Sequence, residues 1–291
     1  PRGCSGWPPG RNRSNAMWFD FRNWTPDRLA GQLRDIGVVP GDRLFVHTGL
    51  RKTRIPRSDV PNLFAAYLHV LGPHGALFFP THTYSCRGAA ECPPFHADLR
   101  CDPSIGIWPE LARKQPGVIR SASPTHSAAG IGEGAAAILA GHDAALPVGR
   151  NSPLDRLQEV GAKVLLIGCG FESCTLLHLA EYYARVPYLH LPCAGFDPVA
   201  VRALPGGAVE EVPVEIIPGC SRGFPKFEAP LRQDGLIRDG RIGKARAMLC
   251  DMKPLLNAAI ALLQTQPTGY LCDTSCATCW LRREQLQHPP R

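Results

Sequence analysis

Residues 163–188, KVLLIGCGFESCTLLHLAEYYARVPY, decide how the rest of the chain is read. The apolar run from Lys163 to Ile167 has the length of a buried strand, a Gly-Cys-Gly turn interrupts it, and Ser173 is placed to cap an amphipathic helix reaching about Ala184. Strand, tight glycine turn and helix in succession make a place to put chemistry. Within the helix, Thr175, His178 and Glu181 recur three apart, so they share one face and the imidazole is flanked by a hydroxyl and a carboxylate. A carboxylate beside an imidazole can fix its tautomer and favour its charged form, as a general base working near neutral pH requires. The spacing leaves two readings open: a base with its orienting carboxylate, or a half-buried helix histidine with a surface partner.

Composition bounds the alternatives. A chain of 291 residues with 44% hydrophobic content can build one large α/β domain or two small ones. No run of about 18 apolar residues occurs, so no membrane partner is expected. The first fifteen residues are rich in Gly, Pro and Arg and lack the apolar centre of a secretory signal, and Ser14-Asn15-Ala16 before Met17 reads as an expression tag. Residues 1–16 are therefore expected to be tag or disordered tail, and the protein cytoplasmic. The net charge of +7 is spread over scattered Lys and Arg, which suits an anionic cofactor such as a nucleotide or coenzyme A and argues against a nucleic-acid partner. Twelve cysteines without a signal peptide read as reduced thiols or metal ligands before disulfides.

Two further strands flank the argument. Thr25-Pro26-Asp27 opens a helix with Leu29, Leu33 and Ile36 on one face, stopped by Gly37, and a strand from Arg43 to His47 follows. Residues 59–71 have helical spacing, and a second strand from Ala76 to Phe79 exits through Pro80-Thr81-His82-Thr83-Tyr84. This is a βαβ crossover whose strands leave into His and Thr at the edge where α/β sheets gather ligands. Trp108 to Lys114 and Glu133 to Leu139 read as short helices, Val209–Ile217 and Leu236–Ile242 as antiparallel strands, and Ala245–Leu263 as one or two helices, with Pro254 at a start or a kink. From Gln264 the chain reads as a tail.

Six segments in register resemble the aminoglycoside 3-N-acetyltransferase, or antibiotic N-acetyltransferase, family: GDRLFVHTGL (41–50), GALFFPTHTYS (75–85), SIGIWPELARKQPGVIRSASPTHSAAGIG (104–132), NSPLDRL (151–157), LLIGCGFESCTLLHLAE (165–181) and GLIRDGRIGKARAMLCD (235–251). The resemblance implies a three-layer α/β/α sandwich distinct from the GNAT acetyltransferases, with an acetyltransferase domain over residues 17–263 and a Cys-rich tail over 264–291. It implies transfer of an acetyl group from acetyl-CoA to a primary amine of an aminoglycoside or amino-sugar-like substrate by direct attack. His178 matches the family's catalytic histidine, Glu181 the carboxylate beside it and Thr175 the threonine of the motif. The loops at His47-Thr48 and Arg120-Ser121 match segments that line the coenzyme. Cys174 replaces the Asn common in drug-modifying members, and Arg120-Ser121-Ala122-Ser123-Pro124 replaces Arg-Ser-x-His-Pro. Both departures resemble members from sugar or natural-product pathways. Oligomeric state is left open, a homodimer included.

Other residue sets offer rival chemistry. Cys174, near a helix start, could serve as an acyl-accepting thiol, though a packed thiol fits the family better. His82, Cys86, Cys92, His96 and Cys101 are zinc-ligand types without a standard spacing. Cys272-x3-Cys276-x2-Cys279 could make a four-thiolate zinc site with Cys250, against free thiols in a tail. Gly219-Cys220-Ser221-Arg222-Gly223 satisfies G-x-S-x-G, but His288 is the one later histidine, so a coincidental turn is expected. His69, His126 and His142 have no evident partner and read as structural or exposed. Asp98, Asp102, Glu110 and Glu172 are candidates to meet a polycationic acceptor. A catalytically silent binding protein with a metal-clamped cysteine tail is the alternative from another class.

Overall fold

The computed structural model describes residues 24–84, 93–142, 146–273 and 276–288. The expected tag over 1–16 lies outside the described residues, as do Cys86 and Cys92. The first half contains α1 (Pro26–Asp35), β1 (Arg43–Thr48), α2 (Leu50–Thr53), α3 (Val60–Leu71), β2 (Ala76–Pro80), α4 (Ile107–Ala112), β3 (Ile119–Arg120), β4 (Ala128–Gly132) and α5 (Ala135–Leu139). Then come α6 (Pro153–Glu159), β5 (Lys163–Ile167), α7 (Leu176–Ala184), β6 (Val199–Ala203), β7 (Val209–Pro213), α8 (Glu228–Gln233), β8 (Arg238–Ile242), β9 (Ala245–Asp251), α9 (Met252–Thr265) and α10 (Ala277–Gln287).

Local chemistry starts the elements where expected. Thr25 caps α1 by accepting from the Arg28 amide at 3.3 Å, and Ser152 caps α6 by accepting from the Asp155 amide. In the seven-stranded sheet, ordered β3-β4-β2-β1-β5-β9-β8, β1 lies between β2 and β5 and runs parallel to both. Antiparallel β4 and β9 flank this parallel centre. Side chains alternate between two cores. Phe45, Phe78, Val164, Leu166 and Met248 pack with α5, α6, α7 and α9 on one face. Leu44, Val46, Leu77, Phe79, Leu165, Ile167 and Leu249 pack with α1, α3 and α4 on the other. Both faces being covered, the central strands must be apolar throughout, which gives the expected three-layer α/β/α arrangement. Among the described residues no helix is long and apolar enough to cross a membrane.

Three expectations change. Ala245–Asp251, the first part of the stretch to Leu263 expected to form one or two helices, is β9, paired to β5 with Leu165 opposite Leu249 and to β8 on its other side. Burial between two strands overrides helix propensity there, and α9 starts only at Met252, so Pro254 marks a first turn rather than a kink. Ser173 does not cap α7: it ends a 3-10 turn over Phe171–Ser173, and Thr175 holds the cap position. The segment after Gln264 carries α10, in which Thr278, Cys279 and Arg282 are buried. Of the expected antiparallel strands, Val209–Pro213 pairs with β6 in a separate two-stranded sheet, and Arg238–Ile242 joins the main sheet.

The loops leaving β1 and β5 touch backbone to backbone. The Gly49 amide donates to the Ile167 carbonyl at 2.7 Å, and a Cβ on Gly49 would stand 2.5 Å from the Gly168 carbonyl oxygen. Gly49→Ala is expected to lower unfolding free energy by about 1–3 kcal/mol, the usual cost of forcing an extra carbon into a packed site. Urea denaturation compared with the unsubstituted protein measures it.

Candidate active site

Because β1, β2 and β5 are parallel, their carboxyl ends open on one edge of the sheet. A cleft of about 650 Å³ lies there. His47, Thr48 and Gly49 come to it from β1, His82 and Tyr84 from the exit of β2, and Cys169, Glu172, Thr175 and His178 from the turn after β5 and the start of α7. Pro218 to Arg222 and two residues of the C-terminal segment, Cys276 and Thr278, also line it, as does His126.

His178 is fixed by two contacts, and its carboxylate partner by a third. Its Nδ1 meets Glu181 Oε2 at 2.6 Å, one helical turn along α7, and its ring packs on Phe224 with centroids 4.8 Å apart. Glu181 is held in turn by the Tyr188 hydroxyl, which donates to Oε1 at 2.9 Å. With Nδ1 turned to the carboxylate, Nε2 is the nitrogen available to the cleft. Thr175 makes no capping hydrogen bond with its side chain and lines the same cleft one turn earlier. All three predicted residues are therefore together and buried.

The other imidazoles on the wall differ from His178. Burial holds His47 down to about 3, and its Nε2, like Thr48 Oγ1, is buried without a hydrogen-bond partner. His82 and His126 sit with ring centroids 4.6 Å apart, and both are held well below the ordinary imidazole value by burial first and neighbouring imidazoles second. Among the described residues lining the cleft, His178 is the histidine with a carboxylate partner. His126 was expected to be structural or exposed; its approach to His82 comes from the antiparallel pairing of β4 with β2 and has no signature in local spacing. His69 is exposed, and buried His142 bonds Ser121 and the Pro147 carbonyl, consistent with structural roles.

Arg120 and Ser121 are not brought to the cleft. The Arg120 guanidinium donates to the hydroxyls of Thr81 and Ser127 and to the carbonyls of Thr81, Ala97 and Leu99, so its fork is spent on the protein's own backbone. Ser121 Oγ contacts His142 Nδ1 at 2.8 Å and accepts from the Ala128 amide. Of the acidic candidates, Glu172 lines the cleft. Glu110 is buried against Arg113 and Lys114, Asp102 accepts from the Ser104 amide, and Asp98 is exposed elsewhere. Glu172 and Arg222 are the acidic and the basic side chain on the described wall, imidazoles aside.

The rival sites separate cleanly. Cys174 is 1% exposed within the core and burial pushes its thiol well up, leaving little thiolate to attack a thioester. Ser221 Oγ donates to the Glu172 carbonyl at 2.6 Å with no histidine partner, so G-x-S-x-G is a turn. His82, His96 and Cys101 do not form a metal-ligand group among the described residues. Missed by sequence were Tyr188 and Arg282. Arg282, 2% exposed on α10, lies over the Tyr188 ring with its guanidinium carbon 5.2 Å from the centroid. Neither residue has a local sequence spacing that relates it to His178.

The buried imidazoles set an acid response. Below about 6.5 an unfolded chain protonates its histidines, whereas folded His47 stays neutral until about 3 and His82 and His126 resist likewise. The unfolded state thus binds more protons in that window, and stability falls as pH falls, by up to about 1.4 kcal/mol per pH unit for each histidine. Urea midpoints at pH 7 and pH 5 should differ, and His47→Gln should reduce the difference.

Comparison with known proteins identifies the family. Residues 45–264 match the aminoglycoside 3-N-acetyltransferase family. Aminoglycoside N(3)-acetyltransferase IV of Salmonella is 32% identical over 249 residues, covering 85% of this chain and 90% of that protein. A solved mutant of aminoglycoside acetyltransferase AAC(3)-IVa in complex with gentamicin superposes with a TM-score of 0.79 at 28% identity, covering 90% of this chain and 97% of that one. AAC-IIIb, solved as a binary complex with CoASH, gives a TM-score of 0.73 at 25% identity over 83% of this chain and 97% of that one. With a family match over most of its length and a relative this similar, the chain belongs to the aminoglycoside 3-N-acetyltransferase family of acyltransferases.

Proposed function

We propose that this enzyme transfers the acetyl group of acetyl-CoA to a primary amine of an aminoglycoside, with His178 as general base. The observation that carries the reading is the 2.6 Å contact of His178 Nδ1 with Glu181 on the cleft wall, with Tyr188 bracing the carboxylate. An ammonium must lose a proton before its nitrogen can attack a thioester. His178 Nε2 accepts that proton, and Glu181 stabilises the imidazolium and keeps Nδ1 protonated. The amine then adds to the thioester carbonyl directly, since Cys174 is buried and resists ionisation. Thr175, one turn from His178, supplies a hydroxyl donor for the developing oxyanion.

The unpartnered His47 Nε2 and Thr48 Oγ1 fit a role in holding the polar groups of the coenzyme. Arg222 on the wall suits its phosphates, and Glu172 suits an ammonium of the acceptor. Arg120 and Ser121 support the strand exits rather than touching the coenzyme. Support for an aminoglycoside acceptor comes from the relatives and from the neighbour solved with gentamicin.

Coenzyme A release in the presence of gentamicin, apramycin and simpler amino sugars is the test, followed by chromatography because the chain's own cysteines would react with a thiol dye. His178→Ala is expected to lower kcat by about 10²–10⁴-fold, the usual worth of a positioned base. Cys174→Ser should retain the rate. Absence of release with every amine, together with no binding of coenzyme A, would return the scaffold alternative. Glu172→Gln is expected to raise KM for a polycationic acceptor with little change in kcat, and an unchanged KM would remove Glu172 from the acceptor site.

A further inference from the structure

Cys220, Cys272, Cys276 and Cys279 bring four sulfur atoms within 4.8 Å of one another at one end of the cleft. Cys250, the expected fourth member, is instead buried in β9, opposite Val164 in the sheet. From these four sulfurs we propose that the chain carries a structural zinc ion bound by Cys220, Cys272, Cys276 and Cys279, which clamps the C-terminal helix to the loop at residues 217–223.

The sulfur spacing has the scale of a metal site. Cys220 Sγ and Cys272 Sγ are 3.8 Å apart. A tetrahedron of thiolates at about 2.3 Å from zinc has edges of about 3.8 Å, whereas a disulfide brings its sulfurs to about 2.05 Å. The donor set is four soft thiolates without carboxylate or imidazole, which selects zinc over magnesium or calcium. Four protein ligands leave no open position, so the site holds structure rather than activating water.

The surroundings hold the ligand-bearing segments in place. The Arg222 amide donates to Cys220 Sγ at 3.4 Å, a typical outer contact of a ligating sulfur. Lys226 donates to the carbonyls of Gly269 and Leu271 and to Asp273, and Arg283 to the carbonyl of Cys272. These contacts fix the segment that presents Cys272. The G-x-S-x-G turn gains a purpose as well. A Cβ on Gly223 would lie 2.0 Å from the Tyr270 carbonyl oxygen, and one on Gly219 2.3 Å from Arg282 Nη1, so both glycines let the two ligand-bearing segments meet. Cys276 stands at the N-cap position of α10 and Cys279 in its first turn, so metal binding fixes the helix that delivers Thr278 to the cleft and Arg282 to Tyr188.

Metal analysis by plasma mass spectrometry on protein purified without chelator is expected to find one zinc ion per chain, released by a mercurial that titrates thiols. Replacement by cobalt should give the absorption bands of a tetrahedral tetrathiolate. A Cys276→Ser, Cys279→Ser double variant should lose the metal, and Cys250→Ser should keep it. If the double variant does not fold, the zinc content and cobalt spectrum of the unsubstituted protein still decide. Protein without zinc and with all four thiols reduced, a disulfide within the set by mass spectrometry, or iron in place of zinc would each overturn the proposal. None of these readouts depends on acetyl transfer.

Discussion

β1 pairs in parallel with β2 on one side and β5 on the other, and the rest of the molecule follows from that arrangement. A strand hydrogen-bonded on both edges and covered by helices on both faces can carry polar side chains only where it emerges. In β1 that place is His47-Thr48, and the same edge receives the exits of β2 and β5. Parallel pairing thus sends three polar loops from distant parts of the chain to one side of the sheet, while crossover helices α3 and α6 occupy the opposite layers. The contact of Gly49 with Gly168 is the tightest expression of this convergence: side chains there would push the loops apart.

Around that edge the chain sorts its histidines by company. His47, His82 and His126 are packed among apolar atoms and one another, which keeps them neutral and suits them to hydrogen bonding. His178 alone of the described cleft histidines has a carboxylate, and that carboxylate is itself anchored by Tyr188. One cleft thus holds two kinds of imidazole, a set packed without acidic neighbours and one hydrogen-bonded to a carboxylate.

Much of this was legible because it is local. The i, i+3 relation of His178 and Glu181, the cap at Thr25 and the apolar run that makes β2 all depend on residues close together in sequence. What failed depended on distant pairing. Ala245–Asp251 has the composition of a helix and becomes a strand because β5 and β8 offer it two partners. Arg120 reads as a phosphate fork, yet carbonyls at 81, 97 and 99 from other segments consume its donors. The tail cysteines were visible as a group by spacing, but their fourth neighbour is Cys220, 52 residues before Cys272, rather than Cys250. Tyr188 meets Glu181, and Arg282 meets Tyr188, through contacts between segments that no local spacing relates.

The span of sequence that α10 closes has a consequence for truncation. The wall of the cleft runs from residue 47 to residue 278, so it joins the first strand of the sheet to the last helix described. The strands of the main sheet and most of the helices that cover it precede α10, but Tyr270, Leu271, Cys272 and Cys279 also belong to one of the two cores, so that core and the cleft both draw on the segment that follows α9. A cut ahead of α10 would therefore take away both a piece of the cleft wall and buried residues of the core beneath it.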